Sequence, residues 1–269
     1  MIPAQFDYER ASSPEHALEL LASGRDAKLL AGGHSLLPLM KLRFARPELL
    51  VDIAGLSELA GVREHDGGLA IGALTRHHDL ATNELVGSRC GVLAKTAAGV
   101  GDPQVRHRGT IGGSVAHGDP ASDLGTVLLA LDAQFVIRGS GGERSVPAGE
   151  FFRGVFETAI GPDELLTEIR VPAAEGAYLK FHRRHQDWAT VGVAAVRVDG
   201  ETRVGLTNMG AKPLRATAVE EALRGGDAAG AADRADEGTD PPADAVASTD
   251  YRRHLARVLT RRALESLGA

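Results

Sequence analysis

Two short stretches decide how the rest of the chain is read: Leu30-Ala31-Gly32-Gly33-His34-Ser35 and, further along, Gly109-Thr110-Ile111-Gly112-Gly113-Ser114. A glycine pair lets the backbone turn tightly and leaves its N–H groups uncovered, so a diphosphate can approach them closely. Ser35 and Ser114 follow the two pairs and Thr110 precedes the second, which adds hydroxyl donors for phosphate oxygens. One such pair alone is an ordinary turn, since glycine is a common turn residue. Two of the same design, each with a serine behind it, favour a phosphate-bearing cofactor. The chain has no Gly-x-x-x-x-Gly-Lys-Ser/Thr stretch and no Gly-x-Gly-x-x-Gly after a strand, which argues against a P-loop and a Rossmann dinucleotide site. A diphosphate held mainly by neutral amides suits a tightly kept cofactor better than a nucleoside triphosphate, which needs a lysine and Mg²⁺ nearby.

Around these stretches, helix-like and strand-like periods alternate in short apolar runs, which predicts a mixed α and β architecture. A helix is expected over residues 14–22, with Pro14 in its first turn and Gly24 stopping it, then a strand from Ala27 to Ala31 that runs into the first glycine pair. A short helix over 36–42 and a strand over 49–53 complete a first subdomain, with a boundary near 55–61. Val62 to Gly72 reads as a hairpin turning at Asp66-Gly67-Gly68. The second glycine pair reads as another turn, followed by a helix from Ser122 or Asp123 to Leu131, a strand over 134–138 and an extended segment over 164–171. Beyond Pro172 come strands at 178–183, 191–198 and 203–208 and helices at 216–223 and 251–267, an antiparallel sheet with helices on one side. Residues 225–249 are mostly Gly, Ala, Asp and Pro and read as a mobile loop or weak helix.

The chain has 269 residues, 43% of them hydrophobic and 25% charged, enough for a sizeable core and for two domains. Its 33 glycines exceed the typical ~7%. Cys90 is the only cysteine, so this chain alone can hold neither a disulfide nor a Cys-rich zinc site nor an iron–sulfur cluster. A net charge of −6 argues against a nucleic-acid footprint or a polybasic membrane surface. The acidic start lacks a signal-peptide pattern and no apolar run is long enough to span a bilayer, so no membrane segment and a cytoplasmic address are expected. The 10 histidines are scattered without ligand spacing, and no metal site or catalytic nucleophile is assigned.

Two further segments carry polar groups. In His117-Gly118-Asp119-Pro120-Ala121-Ser122-Asp123, Ser122 can cap the next helix and Asp123 can sit in its first turn; beside a phosphate-binding turn, a carboxylate also accepts bonds from sugar hydroxyls. Lys180-Phe181-His182-Arg183-Arg184-His185-Gln186-Asp187-Trp188 is either a solvated basic edge or a source of a cation beside an anionic cofactor.

Taken together, the residues 31–38, 101–114, 119–123 and 180–189 resemble the FAD-binding medium subunits of molybdenum hydroxylases, the family of carbon monoxide dehydrogenase medium chains and xanthine dehydrogenase FAD subunits. The resemblance covers nearly the whole chain. It implies an α+β fold, with a two-subdomain FAD-binding lobe of the vanillyl-alcohol-oxidase or PCMH type over 1–174 (subdomains about 1–58 and 59–174) and a C-terminal α+β domain over 175–269. By motif matching, Leu29, Leu30, Ala31, Gly32, Gly33, His34, Ser35 and Leu36, together with Thr110, Ile111, Gly112, Gly113 and Ser114, surround the FAD diphosphate. Asp123 contacts the polar part of the cofactor, Leu166 and Lys180 lie beside it, and Val100 matches a neighbouring contact position. Ser114 and His107 stand where relatives commonly have Asn, which leaves the backbone donors in place.

The implied role is an oxidoreductase subunit for electron transfer. The molybdenum cofactor would be held by a large partner and the 2Fe–2S clusters by a small one, in a dimer of heterotrimers, with electrons leaving FAD for an external acceptor. A cation at Lys180 would then favour reduced flavin. Two other readings are a free-standing flavin reductase with a nicotinamide donor and a non-redox scaffold on the same fold. The first needs a proton donor over the flavin, for which the sequence gives no signal.

Overall fold

The computed structural model describes residues 1–268. It begins with a three-stranded parallel sheet of β1 (Asp7–Arg10), β2 (Ala27–Leu30) and β3 (Leu49–Asp52) in the order β1-β3-β2. Helix α1 (Pro14–Leu21) crosses from β1 to β2. Ser13 caps it by accepting the His16 N–H, and Ala17 and Leu21 are buried on its inner face. The chain leaves the carboxyl end of β2 through Ala31-Gly32-Gly33-His34 into α2 (Leu36–Lys41). That end of a parallel strand is where open α/β sheets receive ligands. Gly33 has φ +78°, which a side chain opposes.

The second unit is a five-stranded antiparallel sheet, β4 (Val62–His65), β5 (Gly68–Gly72), β6 (Gln134–Gly139), β7 (Gly142–Pro147) and β10 (Leu165–Val171), in the order β4-β5-β10-β6-β7. The β4–β5 hairpin turns at Asp66 and Gly67, both with positive φ, as its Asp-Gly pair predicts. A minor ribbon, β8 (Phe152–Gly154) with β9 (Glu157–Thr158), precedes β10. The helices of this unit are α3 (His77–Thr82), α4 (Glu84–Arg89), α5 (Gly91–Ala98), α6 (Pro103–Arg106), α7 (Ile111–His117), α8 (Asp123–Ala130) and α9 (Ala148–Phe151), of which α4, α7 and α9 touch the sheet directly. Their shared core includes Leu93, Ile111, Leu124, Leu128 and the stacked pair Phe135–Phe151. Cys90 is buried there, and burial pushes its thiol up to about 11.

One segment had no reading from sequence and one expectation changes. The stretch from His77 to Arg106 is four short helices, α4 and α6 of them capped by Asn83 and Asp102. The second glycine pair is a helix start: Thr110 caps α7 through the Gly113 N–H, and Gly112 and Gly113 fill its first turn. Gly112 is required by packing, because a Cβ there would lie 2.5 Å from the Ala73 Cβ and 2.6 Å from its carbonyl oxygen.

The C-terminal unit is the antiparallel sheet of β11 (Glu175–Phe181), β12 (Val191–Val198), β13 (Glu201–Thr207) and β14 (Leu214–Arg215). Helices α10 (Thr217–Arg224) and α12 (Thr249–Ser266) bury Val219, Leu255, Ala256, Leu259 and Ala263 on one face. On the other, α5 and α8 of the preceding unit pack beneath Ala194, Val196 and Val198. Of the two readings of the Ala-rich stretch, mobile loop or weak helix, the second holds for part of it: α11 (Ala228–Ala231) and a 3₁₀ turn lie there. Ala231, Ala232 and Ala235 enter the core, and Asp244 is tied to the buried Arg252 at 2.7 Å. Small side chains that gave no periodic signal are what allow this close nesting. No helix among the described residues is long and apolar enough to cross a membrane.

Gly32 faces the Arg108–Gly109 backbone, where an added Cβ would meet the Arg108 carbonyl and lie 2.7 Å from the Gly109 Cα. Gly32→Ala is expected to lower stability by about 1–3 kcal/mol. Gly87→Ala, in open space inside α4, should raise it by about 0.5–1 kcal/mol. Urea denaturation of both variants checks the contrast.

Candidate cofactor cleft

Gly32 against Arg108–Gly109 brings the two glycine segments side by side, and a cleft of about 670 Å³ opens between the parallel sheet, the antiparallel sheet and the start of the C-terminal unit. Of the residues singled out from sequence, Leu29 to Leu36, Val100, Thr110, Gly112, Gly113, Ser114, Asp123, Leu166 and Lys180 all line it. Ile111 does not: it is fully buried in the core behind the cleft.

The two glycine segments offer different chemistry. Among the described residues, no hydrogen bond is made by the backbone N–H groups of Gly32, Gly33, His34 or Ser35. Ser35 makes no capping bond either, so four amides and a hydroxyl on residues that line the cleft are uncommitted. In α7 the expected open amides are taken. Ile111 N–H donates to the Thr75 carbonyl at 2.9 Å, Gly112 N–H to that of Ala73 at 2.8 Å, and Gly113 N–H to Thr110 Oγ1 at 3.1 Å. The helix start is docked on the chain leaving β5, and that docking consumes its donors. What remains is the Thr110 hydroxyl proton and the Ser114 Oγ, 3.1 Å from the Ser122 Oγ. Ser122 thus pairs with Ser114 and makes no cap for α8.

At the floor, Asp123 begins α8 with both carboxylate oxygens engaged. Tyr178 Oη donates to Oδ1 at 2.7 Å and Lys180 Nζ to Oδ2 at 2.8 Å. The side chains of Lys180 and Asp123 are only 11% and 7% exposed, so this ion pair is shielded from solvent. Burial pushes the carboxyl of Asp123 up, and the Lys180 ammonium and the two hydrogen bonds oppose it. Burial and the adjacent Asp123 hold the Tyr178 phenol protonated well above its ordinary range. Lys180 thus lines the cleft as one half of an ion pair with Asp123.

Sequence reasoning did not assign His77, His117 or Phe156, which also line the cleft. His77 is buried with Nδ1 unbonded, and burial, with His34 and Arg106 nearby, pushes its imidazole down to about 4. Burial lowers His117 as well, against the pull of Asp119, and its ring lies 4.9 Å from Phe156. Phe156 reaches the cleft from the β8–β9 turn with φ +56°, a placement with no local signal. Asp187 and the exposed Trp188 line the mouth.

A cleft with open amides at a strand end and neutral hydroxyls along its wall fits a dinucleotide with a diphosphate. Residues 4–174 match the family model described as the FAD binding domain in molybdopterin dehydrogenase, and residues 176–267 that of the CO dehydrogenase flavoprotein C-terminal domain. The chain belongs to the FAD-binding subunits of the molybdenum hydroxylases, and so to an oxidoreductase family, as the four motifs indicate. It is 44% identical to the carbon monoxide dehydrogenase medium chain of Hydrogenophaga pseudoflava, over 100% of this chain and 99% of that one. It is 41% identical to the 6-hydroxypseudooxynicotine dehydrogenase complex subunit alpha of Paenarthrobacter nicotinovorans, over 98% and 95%. The solved carbon monoxide dehydrogenase of H. pseudoflava superposes with a TM-score of 0.95 at 45% identity, covering 98% of both chains.

Two outcomes follow from the geometry. The folded His77 value lies below its ordinary 6.5, so protonation favours the unfolded chain. Its contribution to stability is intact above that value and is lost as pH falls toward 4; His77→Phe should flatten this part of the acid limb in urea titrations. Lys180→Met leaves Asp123 buried without its cation and should cost about 3–5 kcal/mol, and adding Asp123→Asn should recover most of the loss. A double-mutant cycle by thermal unfolding reads the coupling.

Proposed function

We propose that this chain is the electron-transfer subunit of a molybdenum hydroxylase complex, accepting electrons from 2Fe–2S clusters of a small partner and delivering them to an external acceptor. Substrate would be oxidised at a molybdenum cofactor on a large partner, and the three subunits would form a dimer of heterotrimers in the cytoplasm. The observation that carries the reading is the uncommitted run of amides from Gly32 to Ser35 on a cleft shared by both family domains. Bound FAD supplies the interconversion of one-electron and two-electron transfer, chemistry that no side chain of this protein provides.

The residues divide the work. Gly32, Gly33, His34 and Ser35 would hold the diphosphate through neutral donors, and Gly113, with no side chain, would let it pass close to α7. Thr110, Ser114 and Ser122 would add hydroxyl donors. Leu29, Leu30, Ala31, Leu36, Val100 and Leu166 would wall the cleft and keep water from its interior, and Asp123 and Lys180 would fix the polar part at the floor. Ile111 would act from behind, by anchoring α7. Three relatives at 38–44% identity are named for different substrates, carbon monoxide, 6-hydroxypseudooxynicotine and glyceraldehyde. A subunit this similar across such chemistries supports the placing of substrate selection on another chain.

The test is twofold. The purified chain titrated with FAD should bind one equivalent, followed by flavin fluorescence, and Gly33→Ala should weaken binding by about tenfold, since it forces a Cβ into φ +78° and to 2.9 Å from Leu37. From its native cell it should co-purify with a molybdenum-containing and an iron-containing subunit. Steady turnover by the isolated chain with a nicotinamide donor would instead support a free-standing reductase.

A further inference from the structure

Tyr178 belongs to the C-terminal sheet, yet its hydroxyl ends at a carboxylate of the FAD-binding lobe. It lies 2.7 Å from Asp123 Oδ1 and 3.1 Å from Thr207 Oγ1, and the hydroxyls of Thr207 and Thr126 are 2.7 Å apart. The chain of groups thus runs from Asp123 on α8 through β11 and β13 and back to α8. The sheet is shaped to admit it. Lys180, Gly192 and Thr207 are register partners across three strands, and a Cβ on Gly192 would strike the Tyr178 hydroxyl and lie 2.9 Å from Thr207 Oγ1. Gly205, two residues before Thr207 on the same face, would place a Cβ 2.8 Å from the Thr126 carbonyl. Two glycines, one under the phenol and one under the helix, form a seat for Tyr178 and α8.

We infer that Tyr178, seated by Gly192, is a positioning residue that keeps Asp123 ionised and paired with Lys180, so that the floor of the cleft carries a neutral pair instead of a free lysine cation. A carboxylate buried this deeply stays ionised only when donors satisfy its oxygens, and Asp123 has two, one from each of Tyr178 and Lys180. Removing the phenolic proton donor leaves Oδ1 unsatisfied. The cheapest relief is to protonate Asp123, which frees the charge of Lys180 toward the cleft.

The charged or titratable groups acting on Asp123 are Lys180, Tyr178 and the more distant His182, all from β11 and the loop after it. β12 and β13 face it with Gly192 and Thr207. Lys95, His117, Glu150 and Arg215, on the other elements packed against α8, make no hydrogen bond or ion pair with it.

The experiment uses the full chain labelled with ¹³C-aspartate, the Asp123 carboxyl resonance being assigned by its loss in Asp123→Asn. In the wild type Asp123 should stay ionised between about pH 6 and 9. Tyr178→Phe, and independently Gly192→Ala, should move its titration upward by about one to two pH units, the worth of a charge-assisted hydrogen bond. With FAD bound, the midpoint potential of Tyr178→Phe should rise above that of the wild type at the acid end of this range and converge with it at the alkaline end. Tyr178→Phe added to Asp123→Asn should change nothing further. A wild-type Asp123 that titrates within the range overturns the inference without any variant, as does an unmoved resonance in Tyr178→Phe. The potential readout rests on the proposed function but the carboxyl readout does not: failure to bind FAD would overturn the function and leave the Asp123 result standing.

Discussion

The approach of Gly32 to the Arg108–Gly109 backbone is the contact on which the cleft depends. It is a main-chain contact between two lobes, made by the carbonyl of Arg108 and the bare Cα of Gly109 against a residue with no side chain, and Gly109 is in turn packed against the His77 ring, with a would-be Cβ 2.8 Å from its Cδ2. Everything that faces the cleft is registered by it: the open amides after β2 lie on one side, and Thr110 and Ser114 of α7 on the other. Bulk at Gly32 would push the end of the parallel sheet away from the Arg108–Gly109 backbone, and the donors on the two sides would no longer converge.

Lys28, Asp119, Glu157, Glu164 and Asp187 bring charge to the lining of the cleft, but the groups singled out along its wall and floor are neutral or paired. His77 is held neutral by burial, the amides of Gly32 to Ser35 are dipoles, and Asp123 with Lys180 cancels. Such groups hold an anionic cofactor by directed hydrogen bonds instead of by free cations.

Much of this was legible in the sequence because the relevant residues sit in contiguous motifs. Asp66-Gly67 marked its hairpin, Ala27 to Ala31 ran into Gly32-Gly33 as expected, and Asp123 and Lys180 were singled out, though not their mutual bond. What the sequence concealed is mostly tertiary. Gly112-Gly113 reads as a turn from composition alone, and only the proximity of Ala73 shows that the first glycine serves helix packing. The helices between His77 and Arg106 are a turn or two long and draw their stability from burial, so they left a weak periodic signal. Ala231, Ala232 and Ala235 look like linker because alanine carries no pattern, while in the fold their smallness lets α12 come close. Tyr178 and Gly192 are unremarkable letters until the strands are laid in register.

Lys180 and Asp123 come from opposite sides of the point near residue 175 where the two family domains divide. The seam that separates the domains as units of sequence is therefore no boundary for the electrostatics of the cleft. Apart, one piece would expose an unpartnered carboxylate and the other an unpartnered ammonium, and neither would carry the potential that exists when they are joined. The electrical character of the site is a property of the domain interface, and it would drift with any change in how the C-terminal sheet sits on α8, even one that left every residue of the first domain in place.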